Sequence, residues 1–186
     1  MVRTITQNKI RKQRGLVVVF TGDGKGKTSA ALGIALRGSG HRMKTCMIKF
    51  IKGTVPSGED DAVKRIPEIK MLNAGKGFYR ILGDRFSVDI HKQAAREGLK
   101  LASKAIKSLR YDIVILDEIN VAVHLGLIPF SEVKRLIELK PSSLHLILTG
   151  RNARKALINL ADMVTEMKEI KHPFKKKISA ARGIDF

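Results

Sequence analysis

The chain has 186 residues, one cysteine, and 36 lysines and arginines against 17 aspartates and glutamates, which gives a net charge of +19. This length suits one domain with one core, and a lone cysteine excludes an intramolecular disulfide or a zinc site built from several cysteines. The positive charge favours anionic partners, but it is spread along the whole chain. No apolar run is long enough to span a membrane, so we expect a cytoplasmic protein.

Residues 1–15 form a basic segment in front of the first apolar run. Its composition is equally compatible with a flexible tail, an amphipathic lid or an arm that binds nucleic acid. We therefore place the folded nucleotide-binding domain at residues 16–186.

The strongest motif follows the first predicted strand, Leu16–Phe20, and reads T-G-D-G-K-G-K-T-S. It leads into an alanine-rich segment that predicts a helix over Gly26–Arg37. A strand, a glycine-rich turn, Gly-Lys-Thr and a helix in this order predict a Walker A phosphate-binding loop. The predicted ATP-binding residues are Thr21, Gly22, Asp23, Gly24, Lys25, Gly26, Lys27, Thr28 and Ser29.

Each part of this loop has a chemical reason. Glycines allow successive backbone N–H groups to point at one anion, and the start of a helix adds its positive end. Lys27 would neutralise the outer phosphates, and the Thr28 hydroxyl would bind Mg²⁺. Thr21 stands where the usual pattern has a glycine. A plain glycine-rich turn is the alternative, but it does not explain Lys27 and Thr28 at the start of a helix.

The rest of the chain alternates between apolar runs typical of strands and segments with helical spacing. Gly38-Ser39-Gly40 is expected to end the first helix. The other predicted strands are Met43–Ile51, Ile66–Leu72, Ile113–Leu116, Leu144–Leu148 and Met163–Ile170. The other predicted helices are Val88–Leu109, Ser131–Leu139 and Asn152–Leu160, and the predicted loops are Lys52–Asp60 and Asn73–Arg85. This order predicts an α/β fold with a mainly parallel central sheet flanked by helices.

Two further strand ends carry polar residues. Asp117 and Glu118 follow Ile113–Leu116 directly, and buried parallel strands deliver such side chains to the carboxyl edge of the sheet, where ligands bind. Asp117 is predicted to hold Mg²⁺ directly or through water. Glu118 is a base that activates water, or else a second metal ligand or an orienting group. Arg151 follows another strand and is predicted to contact phosphate or substrate; its alternative is a surface arginine.

Two apolar features have either an undecided role or a purely structural one. Phe78 and Tyr79 lie among glycines in the long loop, where they either join the core or offer an apolar face to a flat ligand. Cys46 lies in an apolar run and is expected to be a small buried hydrophobe.

Together these segments resemble the P-loop ATP:corrinoid adenosyltransferase family. The motifs that carry the resemblance are T-G-D-G-K-G-K-T-S-A-A-L-G (21–33), K-F-I-K-G (49–53), G-F (77–78), L-D-E-I-N (116–120), L-T-G-R (148–151) and K-H-P-F with G-I-D-F (within 171–186). The Walker motifs are shared with many ATPases, whereas K-F-I-K-G, L-T-G-R and G-I-D-F are far more specific.

The resemblance implies a single-domain RecA-like fold and a reaction in which the cobalt(I) of a corrinoid attacks the 5′ carbon of ATP and expels intact triphosphate. The implied catalytic residues are Lys27, Glu118 and Arg151, and the implied ligands of Mg²⁺ or Mn²⁺ are Thr28, Asp117 and Glu118. The implied corrinoid contacts are Phe78, Tyr79 and Arg80. Arg80 stands where the family often has tryptophan, and Asp23 stands where it commonly has asparagine.

The resemblance also implies partners beyond ATP and the corrinoid. It implies a homodimer and an electron-donating reductase or flavoprotein, and residues 1–15 correspond to a region that can fold over the bound corrinoid.

A nucleic-acid-stimulated P-loop ATPase is the alternative function, since the charge of +19 and the Asp117–Glu118 pair permit it. No pattern of stacking aromatics supports it, because the chain has seven Phe, two Tyr and no Trp, mostly in apolar runs. We therefore expect no nucleic-acid partner. A small-molecule kinase would need an acceptor pocket that the sequence does not indicate.

Overall fold

The computed structural model describes residues 14–51, 57–77, 79 and 84–185. Six strands form one parallel sheet in the order β3-β2-β4-β5-β1-β6. The strands are β1 (Val17–Thr21), β2 (Thr45–Lys49), β3 (Ile69–Asn73), β4 (Ile113–Asp117), β5 (His145–Thr149) and β6 (Met163–Glu166). This confirms the predicted α/β class and its parallel sheet.

The central strands are apolar because both faces of the sheet are covered. Every residue of β1, β2 and β4 is buried, and Cys46 lies among them as a buried free thiol. The helices are α1 (Lys27–Gly40), α2 (Gly58–Ala62), α3 (Val88–Lys107), α4 (Ile119–His124), α5 (Phe130–Glu138) and α6 (Lys155–Leu160). Short 3₁₀ turns lie at Val63–Arg65 and Pro173–Lys176.

The prediction that the first helix ends at Arg37, before Gly38-Ser39-Gly40, is wrong. The helix continues through Gly40, and His41 caps it by donating its backbone N–H to the Gly38 carbonyl at 2.8 Å. A Cβ at Gly38 would lie 2.8 Å from Ile113 Cδ1. Glycine at this position therefore allows the helix to pack closely against the sheet, and it does not end the helix.

The predicted loop Lys52–Asp60 is wrong at its carboxyl end, because Gly58–Ala62 forms α2. The Asp60 carboxylate accepts hydrogen bonds from the backbone N–H and the hydroxyl of Ser57, both at 2.9 Å, an arrangement that starts helices. Residues 52–56 lie outside the described part of the chain.

Other boundaries also differ from the sequence prediction. Strand β3 starts at Ile69 and not at Ile66, since the chain before it forms the 3₁₀ turn Val63–Arg65. The last strand ends at Glu166 because its partner β1 ends at Thr21, which pairs with Glu166. Helix α6 starts only at Lys155, since Asn152 has a left-handed backbone conformation with φ of 59°. Helix α4 was not predicted, and it follows β4 at once through the left-handed residue Glu118.

The carboxyl edge of the sheet is a row of buried polar strand ends. Thr21, Thr149, Asp117 and Lys49 end the neighbouring strands β1, β5, β4 and β2, and none is more than 7% exposed. Burying a polar group costs free energy unless the group is hydrogen-bonded or paired with an opposite charge. We therefore expect a functional site where these four buried polar side chains lie side by side. Among the described helices, none has the length and apolar character that crossing a bilayer would require.

Candidate functional site

The predicted phosphate-binding loop lies at this edge, between β1 and α1. Gly26 caps the start of α1 with a φ of 105°, which only glycine adopts without strain. Gly22 and Gly24 have a second role, because a Cβ on either would lie 2.4 Å or 2.7 Å from the Met167 carbonyl oxygen. The Gly24 N–H donates to that carbonyl at 2.6 Å. Two glycines of the predicted loop thus allow the chain after β6 to pack against it.

Thr21, which replaces the expected glycine, is the last residue of β1. It is buried, and its hydroxyl accepts a hydrogen bond from the Ala153 backbone N–H at 3.1 Å. The side chain therefore links the phosphate-binding loop to the segment that carries Arg151.

Lys27 is the first residue of α1 and is almost fully buried. Its ammonium donates to the carbonyl oxygens of Gly22 and Gly24 at 2.8 and 2.6 Å. Burial lowers the pKa of Lys27, while the charge of Glu118 opposes that effect. A cation held over the loop in this way is available to exchange these carbonyls for phosphate oxygens.

Asp117 and Thr28 meet as predicted. Asp117 Oδ1 accepts a hydrogen bond from Thr28 Oγ1 at 2.9 Å and another from Thr149 Oγ1 at 2.7 Å. The Thr149 hydroxyl in turn accepts the backbone N–H of Glu118 at 3.0 Å. The Asp117 carboxylate is therefore fixed in place by two hydroxyl groups.

Glu118 has the strongest electrostatic perturbation of the site. Burial and the neighbouring charge of Asp117 raise its pKa to about 7, although Lys27 and Arg151 act in the opposite direction. Near neutral pH this carboxyl group can therefore carry a proton or release it, depending on what binds beside it.

Arg151 lies at the same edge, as the sequence predicts. The turn before it is held by the Asn120 amide, which donates to the Gly150 carbonyl at 3.1 Å. Gly150 has a φ of 124°, and a Cβ there would lie 3.1 Å from the Val121 nitrogen. The turn consequently needs glycine, and its position sets the direction of Arg151.

One cavity of about 1100 Å³ joins these groups. At one end, which we call the phosphate end, it is lined by Thr28, Ser29, Asp117, Glu118 and Arg151. Much of the remaining lining is apolar and comes from α1, from the chain around α2, and from α4. The residues concerned include Leu32, Leu36, Ala62, Val63, Ile66, Val121 and Leu125.

Of the nine predicted ATP-binding residues, only Thr28 and Ser29 line the main cavity. Asp23 lines a smaller cavity of about 430 Å³ together with Arg151 and the chain after β6. Lys25 forms an ion pair with Asp185, which itself lines the main cavity. The structure therefore brings Thr28, Ser29, Asp117, Glu118 and Arg151 to one cavity wall, whereas Lys27 and the residues of the loop before it do not line this cavity.

Of the three residues expected to contact the corrinoid, Phe78 and Arg80 lie outside the described part of the chain. Tyr79 is buried, at 6% exposure, and also lines the main cavity. Its ring packs on His91 at a centroid distance of 5.0 Å, and His91 contacts Asp84 at 2.9 Å. Tyr79 thus belongs to the core and to the cavity wall at once.

The donor set at the phosphate end fits a hard divalent cation. A hydroxyl and carboxylates are the oxygen ligands that Mg²⁺ prefers, and Mg²⁺ usually completes its shell with water and phosphate oxygens. Within the described ranges no cluster of three or more His, Cys, Asp and Glu side chains could hold a metal by itself. A cation here would therefore rely on few protein ligands, as is usual for Mg²⁺ bound with a nucleotide.

Sequence reasoning missed three contributors to the site: Thr149, Asn120 and Lys49. Thr149 and Asn120 lie in motifs noted above, but their roles depend on contacts across 32 and 30 residues of sequence. Lys49 is fully buried and pairs with acidic residues of α2. Lys49 also opens the motif K-F-I-K-G noted above, but nothing in that motif indicates its acidic partners.

Comparison with known proteins is consistent with this geometry. The family model for ATP:corrinoid adenosyltransferases BtuR/CobO/CobP matches residues 13–186. A corrinoid adenosyltransferase from Pseudomonas aeruginosa is 38% identical over 177 residues, covering 95% of this chain and 86% of its own. One from Sinorhizobium is 39% identical over 94% of this chain and 81% of its own, and one from Escherichia coli K12 is 34% identical over 94% and 87%.

Among solved structures, a KaiC-like protein from Pyrococcus horikoshii is similar with a TM-score of 0.54. The match covers 85% of this chain and 75% of that one at 16% identity. Such a likeness concerns the fold alone, and it confirms the predicted RecA-like architecture.

Proposed function

The chain belongs to the ATP:corrinoid adenosyltransferase family, and we propose that the main cavity is where it transfers the adenosyl group. The protein is a transferase, and ATP and a corrinoid are the substrates that fit its family. Family membership does not favour the nucleic-acid-stimulated ATPase. The single observation that carries the proposed site is that the Thr28–Asp117 pair and a broad apolar lining share one cavity.

In the proposed reaction the electron pair of cobalt(I) attacks the 5′ carbon of ATP. The carbon–oxygen bond to the triphosphate breaks, a cobalt–carbon bond forms, and the cobalt becomes formally cobalt(III). Triphosphate leaves with the electron pair of the broken bond, and no proton is transferred. Since negative charge grows on the leaving group, catalysis depends on fixed positive groups beside it.

Lys27 and Arg151 are the proposed sources of that positive charge. Lys27 would exchange its two carbonyl partners in the loop for phosphate oxygens, and Arg151 would approach from the adjacent strand end. Thr21–Ser29 would supply the backbone amides of the ATP site, with Lys25 released from Asp185 to face the anion.

Mg²⁺ or Mn²⁺ would be held by Thr28 and Asp117, with Glu118 as a further ligand. When bound, the cation supplies Lewis-acid stabilisation of the triphosphate charge. Because the reaction activates no water, Glu118 needs no role as a base. Its raised pKa suits a group that stays neutral in the empty site and ionises beside a cation.

Phe78, Tyr79 and Arg80 are the proposed corrinoid contacts, supported by the position of Tyr79 on the cavity wall. We also propose a homodimer, an electron-donating reductase or flavoprotein as partner, a cytoplasmic location, and no nucleic-acid ligand. Residues 16–186 would form the adenosyltransferase domain, with residues 1–15 as a segment that covers the bound corrinoid.

Product analysis tests the proposal. The protein is incubated without oxygen with ATP, Mg²⁺ and chemically reduced corrinoid. The visible spectrum should change to that of an adenosylated corrinoid while one triphosphate is released for each corrinoid consumed. ADP and orthophosphate as the sole nucleotide products would reject it.

A further inference from the structure

Lys49 is a charged residue in an unusual place. It ends β2 beside Asp117 of β4, and its side chain is only 1% exposed. Its ammonium lies 2.7 Å from Asp60 Oδ1 and 3.3 Å from Glu59 Oε1. A buried lysine is tolerated only with such partners, because an unpaired ammonium is costly to remove from water.

The partners of Lys49 belong to the stretch Ser57–Ile66, which we call the 57–66 wall. Its helix α2 has no buried residue, so apolar packing does not explain how this helix is held against the sheet. Although burial opposes it, the Lys49 ammonium and the donors of Ser57 hold the pKa of Asp60 below its usual value. Val63 and Ile66 at the far end of the wall pack into the core, and the Lys49 ion pair ties α2 itself to the end of β2.

The wall lines the main cavity. Gly58, Glu59, Ala62, Val63 and Ile66 all contribute to the lining. Helix α2 also carries three carboxylates in its first turn, Glu59, Asp60 and Asp61. A triphosphate would be repelled by that surface. The wall consequently suits a substrate whose contacting surface is uncharged. A corrinoid offers such a surface, since its broad ring edge bears amide side chains.

We propose that Lys49 is a positioning residue that holds the 57–66 wall in place and thereby shapes the corrinoid half of the cavity. This inference rests on the proposed function. Lys49 touches neither substrate; it acts through Asp60 and Glu59. A buried ion pair specifies position more than it adds stability, and a shift of the wall would move the acceptor relative to the 5′ carbon of ATP.

The test compares Lys49→Met with Lys64→Met, a matched control that removes the exposed Lys64–Asp61 pair of the same wall. Lys49→Met should raise the KM for the corrinoid on the order of tenfold while the KM for ATP stays within about twofold. Lys64→Met should change neither constant. Lys49→Arg should restore part of the corrinoid affinity, because it keeps the buried charge.

Asp60→Asn provides a second variant that leaves the lysine in place, and it should raise the KM for the corrinoid in the same way. Hydrogen exchange supplies a readout without substrates: amides of the wall should exchange faster in Lys49→Met and Asp60→Asn, and those of α3 should not. An unchanged KM for the corrinoid in folded variants, or an equal rise in the KM for ATP, would overturn the inference. Failure of the wild-type protein to form an adenosylated corrinoid would instead overturn the proposed function.

Discussion

The two ends of the main cavity are held by different kinds of contact. At the phosphate end, strand ends and short turns carry the side chains, and hydrogen bonds such as those from Thr28 and Thr149 to Asp117 fix them. The 57–66 wall is tied to the sheet edge by Lys49 and contributes no buried residue from its helix. The comparison teaches that hydrogen bonds between strand ends specify the phosphate end, whereas the wall is specified by the ion pairs of one buried lysine and by the core packing of Val63 and Ile66.

The largest effect should come from removing the charge of the phosphate end. Lys27→Ala should lower kcat for adenosyl transfer by about 1000-fold, the scale seen when one group that stabilises developing charge is lost. The rate of adenosylated corrinoid formation, followed by absorbance without oxygen, measures it. Lys100→Ala is the control, since Lys100 is exposed and paired with Glu97 on α3, and it should leave kcat unchanged. If kcat fell equally in the two variants, the role assigned to the charge of Lys27 would be contradicted.

Glu118 should make the metal-free and nucleotide-free protein less stable as the pH rises. Its folded-state pKa of about 7 lies above the ordinary value of 4.5. The folded state therefore binds the Glu118 proton more tightly than the unfolded state does. The resulting contribution to the free energy of unfolding is complete below the ordinary pKa and is lost as the pH rises to about 7. The span corresponds to about 3 kcal/mol.

Urea unfolding at a series of pH values measures this dependence. Glu118→Gln should flatten it, because the amide does not titrate. Glu97→Gln, which removes an exposed pair with Lys100, should leave the slope as it is. If the free energy of unfolding of the wild type rose between pH 5 and 7 relative to that of Glu118→Gln, the burial assigned to Glu118 would be contradicted.

A smaller effect on stability and ATP binding should distinguish the substitution of Thr149 from that of Thr45. Thr149→Val removes a hydroxyl that donates to Asp117 and accepts from Glu118, so it should cost about 1–3 kcal/mol of stability and weaken Mg²⁺-dependent ATP binding about tenfold. Thr45→Val is the matched control: the Thr45 hydroxyl is buried with no hydrogen-bond partner among the described residues. Calorimetric titration with ATP and Mg²⁺, together with thermal unfolding, should find the control near wild type.

The phosphate end could be predicted from the sequence because its residues are contiguous in motifs whose chemistry dictates their order. The Lys27-Thr28 pair follows the glycine loop, Asp117-Glu118 ends an apolar run, and a parallel sheet brings such ends together. The parallel α/β fold could be predicted for the same reason. Thr149 was not recognised because its partner Asp117 lies 32 residues away in sequence.

The 57–66 wall could not be predicted because its local composition is misleading. The Gly, Pro and Ser around Ser57 favour a loop, yet the Ser57–Asp60 hydrogen bonds start a helix. No sequence pattern says that Lys49 is buried, since its pairing with Glu59 and Asp60 exists only once the wall folds back onto the sheet. Gly38 and Gly40 misled the prediction of where α1 ends in the same sense, because Gly38 is needed for packing against Ile113.

A crystal structure with bound ATP and Mg²⁺ tests the central claim most directly. In the structure described above the Lys27 ammonium donates to the carbonyls of Gly22 and Gly24. With nucleotide, we expect this ammonium to contact the triphosphate, Thr28 and Asp117 to lie at the cation, and the 5′ carbon to face the cavity toward the 57–66 wall. A nucleotide bound elsewhere, with Lys27 still on the loop carbonyls, would contradict the account.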